Sequence, residues 1–311
     1  MVPAMSTSTD VPPAVRTALS RLIDYAGLFP PAQLAMSPAL EEYVGSLGDA
    51  HAWMLGRFIV PASRLDEFDV SPAAHDHECS VIVDAARGPR EWFASAQKIF
   101  DRLHGRKNVA CLEVPLPPLL SQRETYEATI GQVAMLAEKA GLRNRPVYIE
   151  IPRDDRFVES LPSTMSALAR YGLGAKVRCG GIDAAAFPSV EEVRAFVRAS
   201  ANDDVPFKAT AGLHHPIRHI DAATGFHMHG FLNILVAAVL AHRIDDATLE
   251  AILADEESSS FRFDETSLRW KDLRAADEEI AAGREHRFVA YGSCSFAEPV
   301  ADLTELKILP Q

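Results

Sequence analysis

Short apolar runs alternate with longer amphipathic stretches along almost the whole chain. Eight of these runs have the length of buried strands, and they cover residues 21–27, 54–61, 79–85, 108–115, 146–152, 174–181, 206–213 and 287–295. Stretches with helical periodicity lie between them, for example 90–105, 124–141 and 189–200. Strands that alternate with helices predict a parallel sheet, and eight strands close a barrel. The pattern therefore predicts an α/β fold, a single (β/α)8 TIM barrel over residues 13–311.

Two segments interrupt this alternation near the end of the chain. Residues 214–230 form a long polar stretch after the seventh strand, which we interpret as a loop that covers the barrel as a lid. Residues 261–270 have the pattern of a hairpin inserted before the last strand. We assign the eighth strand to 287–295, because the residues after it supply a loop and a short final helix. A doubly wound sheet is the rival fold, but no glycine-rich dinucleotide fingerprint follows the first strand.

Composition and charge narrow the classes of function. The chain has 311 residues, of which 48% are hydrophobic, and a net charge of -12. Such a surface repels the phosphates of nucleic acids and anionic lipids, so we expect neither as a partner. No apolar run is long enough to span a membrane. The apolar helices around a barrel would allow a homo-oligomer.

The N-terminus and the cysteines predict the compartment. Residues 1–12 lack the basic and apolar regions of a signal peptide, and we predict that they form a disordered tail. The four cysteines are scattered, without a C-x-x-C pair, which argues against a cysteine zinc site. Three of them lie in apolar runs, where cysteine acts as a small hydrophobic residue. We therefore expect a cytoplasmic protein.

Charged side chains lie on one face of most of the predicted strands. Because side chains alternate along a strand, the apolar face contacts the helices and the other face points into the barrel. The inward set is Asp24, Arg57, Asp84, Glu113, Tyr148, Glu150, Lys176, Arg178, Lys208, Thr210 and His214. Unpaired charges are costly to bury, and barrel interiors are usually apolar. This ring of charge near the strand ends therefore predicts an active site for a small-molecule substrate.

Lys176 and Lys208 lie on adjacent predicted strands, among apolar neighbours. Burial and a second cation would lower the pKa of a lysine, and a neutral amine attacks a carbonyl group to form a Schiff base. We take Lys208 as the nucleophile and Lys176 as the residue that tunes it. Glu113, Glu150 and His214 are candidates for proton transfer.

The remaining candidates surround this pair and would bind the substrate. Arg178 and Arg57 would hold an anionic group of the substrate. Thr210 and His215 lie beside the lysine strand. Backbone amides at Gly292 and Ser293 could bind a phosphate or carboxylate after the last strand.

Two short motifs carry a resemblance to a known family. The segments "KATAGL" (208–213) and "KVRCGGI" (176–182) resemble the two lysine strands of class I aldolase barrels of the deoxyribose-phosphate aldolase type. The resemblance implies a lyase that acts on a small anionic carbonyl compound without a cofactor. It implies that Lys208 is the Schiff-base lysine, Lys176 the second lysine, and that Gly180 and Gly181 lie where substrate phosphate binds. In that family the Schiff-base strand precedes the Gly-Gly strand, and here the order is reversed.

Two other functions remain open from the residues. Asp84, Glu113 and Glu150 end consecutive strands, and carboxylates so placed can bind Mg²⁺ or Mn²⁺. With His214 as a further ligand, Zn²⁺ would also fit. This alternative is a metal-dependent lyase or isomerase of a small carboxylate. The second alternative is a barrel that binds a small molecule without catalysis.

Overall fold

The eight predicted strands form a closed parallel barrel. The computed structural model describes residues 11–74, 77–86, 88–119, 125–181, 183–222 and 224–310. The barrel strands are β1 (Ile23–Tyr25), β2 (Leu55–Pro61), β3 (Cys79–Ile82), β4 (Val109–Pro115), β5 (Val147–Glu150), β6 (Gly174–Arg178), β7 (Phe207–Thr210) and β13 (Phe288–Ser293). Each pairs with the next in chain order, and β13 closes the ring between β7 and β1. The predicted TIM barrel is confirmed, including 287–295 as the eighth barrel strand.

Helices surround the barrel and follow most of the strands. They are α1 (Pro13–Leu19), α2 (Met36–Ser46), α3 (Leu65–Asp69), α4 (Pro89–Leu103), α5 (Glu127–Lys139), α6 (Phe157–Tyr171), α7 (Val190–Asp203), α8 (Phe231–Leu240), α9 (Asp246–Ala254), α10 (Asp277–His286) and α11 (Ala297–Glu305). A capping box begins α7: the Ser189 hydroxyl accepts from the Glu192 backbone N–H at 3.1 Å, and the Glu192 side chain accepts from the Ser189 backbone N–H at 2.7 Å. Residues 1–10 of the predicted tail lie outside the described residues, and the side chain of Val11 is buried.

The inserted segment before the last strand is a three-stranded antiparallel sheet. It consists of β10 (Phe261–Phe263), β11 (Ser267–Trp270) and β12 (Leu273–Ala276), one strand more than the predicted hairpin. The inner face of β11 contacts α8, whose residues are all buried. The insertion therefore covers a helix that would otherwise expose an apolar side.

The polar stretch 214–230 contains a small hairpin. Its strands are β8 (His219–Ile220) and β9 (His227–Met228), which pair antiparallel. The ring of Phe226 at its turn lies 5.3 Å from the ring of Phe187, in the loop after β6. The segment therefore packs beside the barrel mouth, and its role as a lid stays a prediction. No helix in the described part of the chain has the length and apolar character needed to cross a bilayer.

The strand register sorts the inward side chains into stacked layers. Because the strands of a barrel are tilted, alternate strands supply each layer. From the N-terminal to the C-terminal ends of the strands, the layers are Arg57, Cys111, Gly174 and Ala290; then Asp24, Ser80, Tyr148 and Lys208; then Ile59, Glu113, Lys176 and Gly292; and finally Ala26, Ile82, Glu150 and Thr210. We call these the lowest, second, third and uppermost layers. The second and third layers of this barrel thus carry charged side chains, although barrel interiors are usually filled by branched apolar residues.

Candidate active site

Lys208 lies in the second layer and is almost completely enclosed. Its Nζ is 2.6 Å from Asp24 Oδ2, and it also donates to Glu113 Oε1. The Ser80 hydroxyl lies 3.5 Å from Nζ, and the Tyr148 ring centroid lies at 5.7 Å. Both carboxylate partners are closed to solvent, with side chains 0% and 1% exposed. Lys208 is therefore a buried cation that two buried carboxylates neutralise.

Lys176 lies one layer higher and reaches toward the mouth. Its Nζ is 2.6 Å from Glu113 Oε2 and 2.8 Å from Glu150 Oε2. The Glu150 side chain belongs to the uppermost layer and is 17% exposed. Glu113 thus bridges the two lysines, with one oxygen toward each. The ion-pair chain runs from Asp24 through Lys208, Glu113 and Lys176 to Glu150 at the solvent end.

The pKa shifts in this chain of charges are opposite to those expected for two adjacent lysines. Burial by itself lowers the pKa of both lysines, but the carboxylates outweigh it. Asp24 and Glu113 raise the pKa of Lys208, and Glu113 and Glu150 raise that of Lys176. Burial opposes ionisation of Glu113, yet Lys176 and Lys208 hold its pKa well below the usual range. The expected mutual lowering is wrong, because Glu113 lies between the two ammonium groups.

Two members of the cluster had no role assigned from the sequence: Asp24, which was placed only in the inward set, and Ser80, which was not placed there. Asp24 is fully buried, and its Oδ1 accepts from the backbone N–H of Arg57 at 2.6 Å. Its short strand made the inward face uncertain from the sequence, although the parity pointed there. The Ser80 hydroxyl donates to Glu113 Oε1 at 2.7 Å and accepts from Cys111 Sγ at 3.0 Å. Ser80 lies an even number of residues before Asp84, so strand alternation places it on the same inward face as Asp84. That alternation could have identified Ser80 from the sequence.

The side chains beside and above the lysines are small on one side of the barrel. Gly292 lies in the third layer, and Ala26 and Thr210 lie above it. A Cβ at Gly292 would lie 3.0 Å from Ile59 Cδ1 and 3.3 Å from the Thr210 hydroxyl. The close approach of Ile59 and Thr210 therefore explains why a glycine occupies position 292. Thr210 and Gly292 lie near the lysine pair, and their role in substrate binding stays a prediction.

Arg178 and Arg57 lie at opposite ends of the barrel. Arg178 follows Lys176 by two residues on the same face and is exposed at the mouth. Its Nε donates to the carbonyl of Gly180 at 2.9 Å, which fixes the guanidinium on its own loop. Arg57 belongs to the lowest layer, and its Nη1 is 4.0 Å from Asp24 Oδ2. Arg57 is therefore below Lys208 and away from the mouth, because the register places it near the start of β2.

The two histidines after β7 pair with the last helix. His214 Nδ1 lies 3.0 Å from Glu298 Oε2, and His215 Nδ1 lies 2.5 Å from Asp302 Oδ2. The Cys294 Sγ lies 3.9 Å from His214 Nδ1. These contacts fix the loop after β7 on α11. Among the residues that the structure describes, neither histidine has a hydrogen bond or ion pair with Lys176 or Lys208.

The glycines after β6 and the residues after β13 are tightly packed. A Cβ at Gly180 would lie 2.9 Å from Gly212 Cα and 2.9 Å from Phe187 Cε1. A Cβ at Gly181 would lie 2.6 Å from the Ala186 Cβ. The Ser293 hydroxyl donates to the carbonyl of Ser295 at 2.7 Å. Close approach of the Gly212 backbone explains Gly180, close approach of the Ala186 side chain explains Gly181, and the phosphate-binding role of both glycines stays a prediction.

The residues of the predicted metal site do not converge. Asp84 is exposed and accepts from the backbone N–H of Ser63 at 3.1 Å. Glu113 and Glu150 both contact Lys176, and His214 contacts Glu298. Among the residues with described placement, no three histidine, cysteine, aspartate or glutamate side chains are arranged to hold a metal ion. The carboxylates of Glu113 and Glu150 bind lysine ammonium groups instead.

Comparison with known proteins identifies a similar fold. The chain matches no protein-family model and no curated protein. It is similar to a solved structure, the tetrameric deoxyribose phosphate aldolase from Aeropyrum pernix, with a TM-score of 0.50 and 13% identity. The match covers 94% of this chain and 93% of that chain. The resemblance found in the two lysine strands is thus confirmed at the level of the fold.

Proposed function

We propose that the protein is a lyase of the aldolase type that acts on a small anionic carbonyl compound through a lysine Schiff base. The observation that carries this proposal is the pair of enclosed lysines, Lys176 and Lys208, joined by Glu113 inside the barrel. Structural ion pairs seldom occupy the interior of a barrel, where branched apolar side chains pack well. A cluster of this kind is typical of a catalytic centre.

The geometry favours Lys176 as the nucleophile, although the sequence favoured Lys208. The amine must lose a proton before it attacks, and Glu150 offers Lys176 a carboxylate that reaches solvent. Both carboxylate partners of Lys208 are closed to solvent. Lys176 also lies one layer nearer the mouth than Lys208. Lys208 would remain charged and hold Glu113 as an anion.

The reaction then follows ordinary imine chemistry. Lys176 passes its proton to Glu150, and the neutral amine attacks the substrate carbonyl carbon. The carbinolamine loses water to give a protonated imine. As a carboxylate of the cluster accepts the proton of the substrate's β-hydroxyl group, the neighbouring carbon–carbon bond breaks, an aldehyde leaves, and the electron pair of that bond passes to the iminium to give an enamine. The same carboxyl group returns the proton to the enamine carbon, which restores the imine, and the reverse sequence forms the bond. Water then hydrolyses the imine, which releases the product and restores the amine.

Arg178 is the group that would select an anionic substrate. Its guanidinium lies at the mouth, two residues above Lys176 on the same strand face. A guanidinium fork matches a carboxylate or a phosphate with two parallel hydrogen bonds. The substrate would therefore place its anionic group at Arg178 and its carbonyl carbon at Lys176.

Reductive trapping tests this proposal directly. The purified protein is incubated with a panel of small aldehydes and keto acids, reduced with borohydride, and digested for mass spectrometry. We expect an adduct at Lys176 that the K176M variant loses and the K139M variant keeps. Lys139 is a matched control, because its side chain is 61% exposed on α5. An adduct at Lys208 alone would exchange the roles of the lysines, and no adduct with any carbonyl compound would contradict the proposal.

Metal analysis of the same samples addresses the rival mechanism. Stoichiometric metal in the native protein that is lost in E113Q or E150Q would favour a metal-dependent lyase or isomerase. Saturable carbonyl binding without turnover or adduct would favour a non-catalytic barrel. The homo-oligomer and the cytoplasmic location stay predictions, and light scattering on the purified protein measures the first.

A further inference from the structure

A cavity lies outside the barrel, between the inserted sheet and the C-terminal segment. Its volume is about 210 Å³. The walls include four apolar side chains from three separate segments, Ile217, Phe261, Leu306 and Ile308. The polar part of the lining is Ser258, Ser259 and Arg262. At ~30 Å³ for each water molecule, the space equals about seven waters, which suits a small ligand.

Arg262 brings a positive charge to the rim of this cavity. Its Nε donates to the carbonyl of Ser259 at 3.0 Å, which fixes the side chain beside the cavity. Within the described ranges, no carboxylate lies at ion-pair distance from Arg262. The guanidinium thus has terminal N–H groups available for a ligand. It gives this rim a local positive charge, although the chain as a whole has a net charge of -12.

The inserted sheet carries a row of arginines at directly opposite positions, which favours an anion beside them. Arg262 lies directly opposite Arg269, which lies directly opposite Arg274 on the third strand. All three are exposed on the outer face. Like charges at directly opposite positions destabilise a sheet. Asp264 is 3.2 Å from Arg269, and Arg274 Nη2 donates to the Thr266 hydroxyl at 3.2 Å. An anion at Arg262 would relieve this repulsion at the end that borders the cavity.

We infer that this cavity binds a small amphipathic anion, such as a carboxylate with a short acyl chain. The acyl chain would lie against Ile217, Phe261, Leu306 and Ile308, and the carboxylate would accept from Arg262 at the rim. Ligand sites typically combine apolar side chains with polar groups that fix the orientation of the ligand, and this cavity has both. The site is separate from the lysine cluster and does not depend on the proposed aldolase chemistry.

Calorimetric titration of the full-length protein with three probes tests the inference. We expect saturable one-to-one binding of hexanoate, with acetate and 1-hexanol each weaker by at least about tenfold. Acetate lacks the apolar chain, and 1-hexanol lacks the charge. No saturable binding of hexanoate, or equal binding of 1-hexanol, would overturn the inference.

Two variants of the arginine row provide the matched comparison. R262Q should weaken hexanoate binding by about tenfold, because it removes the charge at the rim. R274Q removes the same charge from the same row but does not line the cavity, so its affinity should stay within about threefold of the native value. Both arginines are exposed, and thermal melts will verify that both variants fold. Equal weakening in the two variants would assign binding to the general charge of the sheet and would refute the cavity site.

Discussion

Glu113 holds the charged interior together at the scale of single residues. It is 1% exposed and contacts Lys176, Lys208 and Ser80. A buried carboxylate is tolerated only when cations and hydrogen bonds replace the water it has lost. Because Glu113 is the only acid that contacts both lysines among the described ion pairs, it fixes their separation and their charge.

Loss of either lysine should have unequal effects on stability. K208M leaves Asp24 and Glu113 without their shared cation, and breaking such a buried pair typically costs about 3–5 kcal/mol. K176M leaves Glu113 paired with Lys208 and Glu150 partly in water, so we expect a cost of about 1–3 kcal/mol. Urea unfolding measures both free energies, with K139M as the surface control. Equal costs would contradict the layered arrangement.

The raised pKa of Lys176 predicts how imine formation depends on pH. A raised pKa keeps the amine protonated throughout the neutral range, so trapping should accelerate by about tenfold for each pH unit from 7 to 9. Cyanoborohydride trapping at each pH, beside N-acetyl-lysine as a reference for the reagent, measures this slope. A plateau below pH 8 would show instead that the pKa of the reacting lysine is lowered in the protein.

The same shifts fix the sign of the pH dependence of stability. The contribution of the two lysines is complete below the unfolded lysine pKa of about 10.5 and is lost as the pH rises through the raised folded pKa. The contribution of Glu113 is complete above the unfolded pKa of about 4.3 and is lost as the pH falls toward its lowered folded pKa.

At the scale of elements, the loops after β6 and β7 pack as one unit. Gly212 has a φ of +69° and approaches Gly180 across the two loops, and the Phe187 ring covers both. Because β6 carries Lys176 and β7 carries Lys208, this contact fixes the ends of the two lysine strands relative to each other. The glycines thus act on the site through backbone packing.

A methyl group at Gly180 should disturb that contact. G180A would place a Cβ 2.9 Å from Gly212 Cα, so the loops must separate, at a cost of about 1–3 kcal/mol. G45A is the matched control, because a Cβ at Gly45 in α2 meets no atom within 4 Å. The control should be neutral or stabilising by up to about 1 kcal/mol. Thermal unfolding of both variants checks the difference, and equal melting temperatures would argue against tight loop packing.

At the scale of the whole molecule, the inserted sheet completes the outer layer of the barrel. Every residue of α8 is buried, because α9, α10 and β11 cover the sides that the barrel does not. Leu268 and Trp270 lie on the inner side of β11, while Arg269 between them is exposed. The insertion is therefore part of the hydrophobic core of the domain.

A charge on the inner face of the insertion should expose that core. L268D would bury an unpaired carboxylate, and we expect a loss of more than about 3 kcal/mol together with binding of a hydrophobic dye. R269Q, one residue away on the outer face, should change stability by less than about 0.5 kcal/mol. Urea unfolding and dye fluorescence measure both variants. A native-like L268D would show that the sheet is only peripheral.

The sequence predicted which side of each strand faces the barrel axis. Alternation has a period of two residues, so it assigned Lys176, Lys208, Glu113 and Glu150 to the interior without knowledge of any partner strand. It could not assign height along the axis. Arg57 has the correct parity but lies in the lowest layer, because its level depends on pairing with β1 and β3. Asp84 has the parity of an interior residue, yet it lies beyond the end of β3 and contacts Ser63.

The sequence by itself determined the eight-stranded barrel, the eighth strand and the inward lysines, because strand length and alternation are local properties of the chain. The tertiary structure alone decided which charges meet. Closing the barrel brings β1, β4 and β7 together, although Asp24, Glu113 and Lys208 are far apart in sequence. That meeting places a carboxylate between the two lysines and reverses the expected direction of their pKa shifts, since an opposite charge in contact outweighs both burial and a like charge further away.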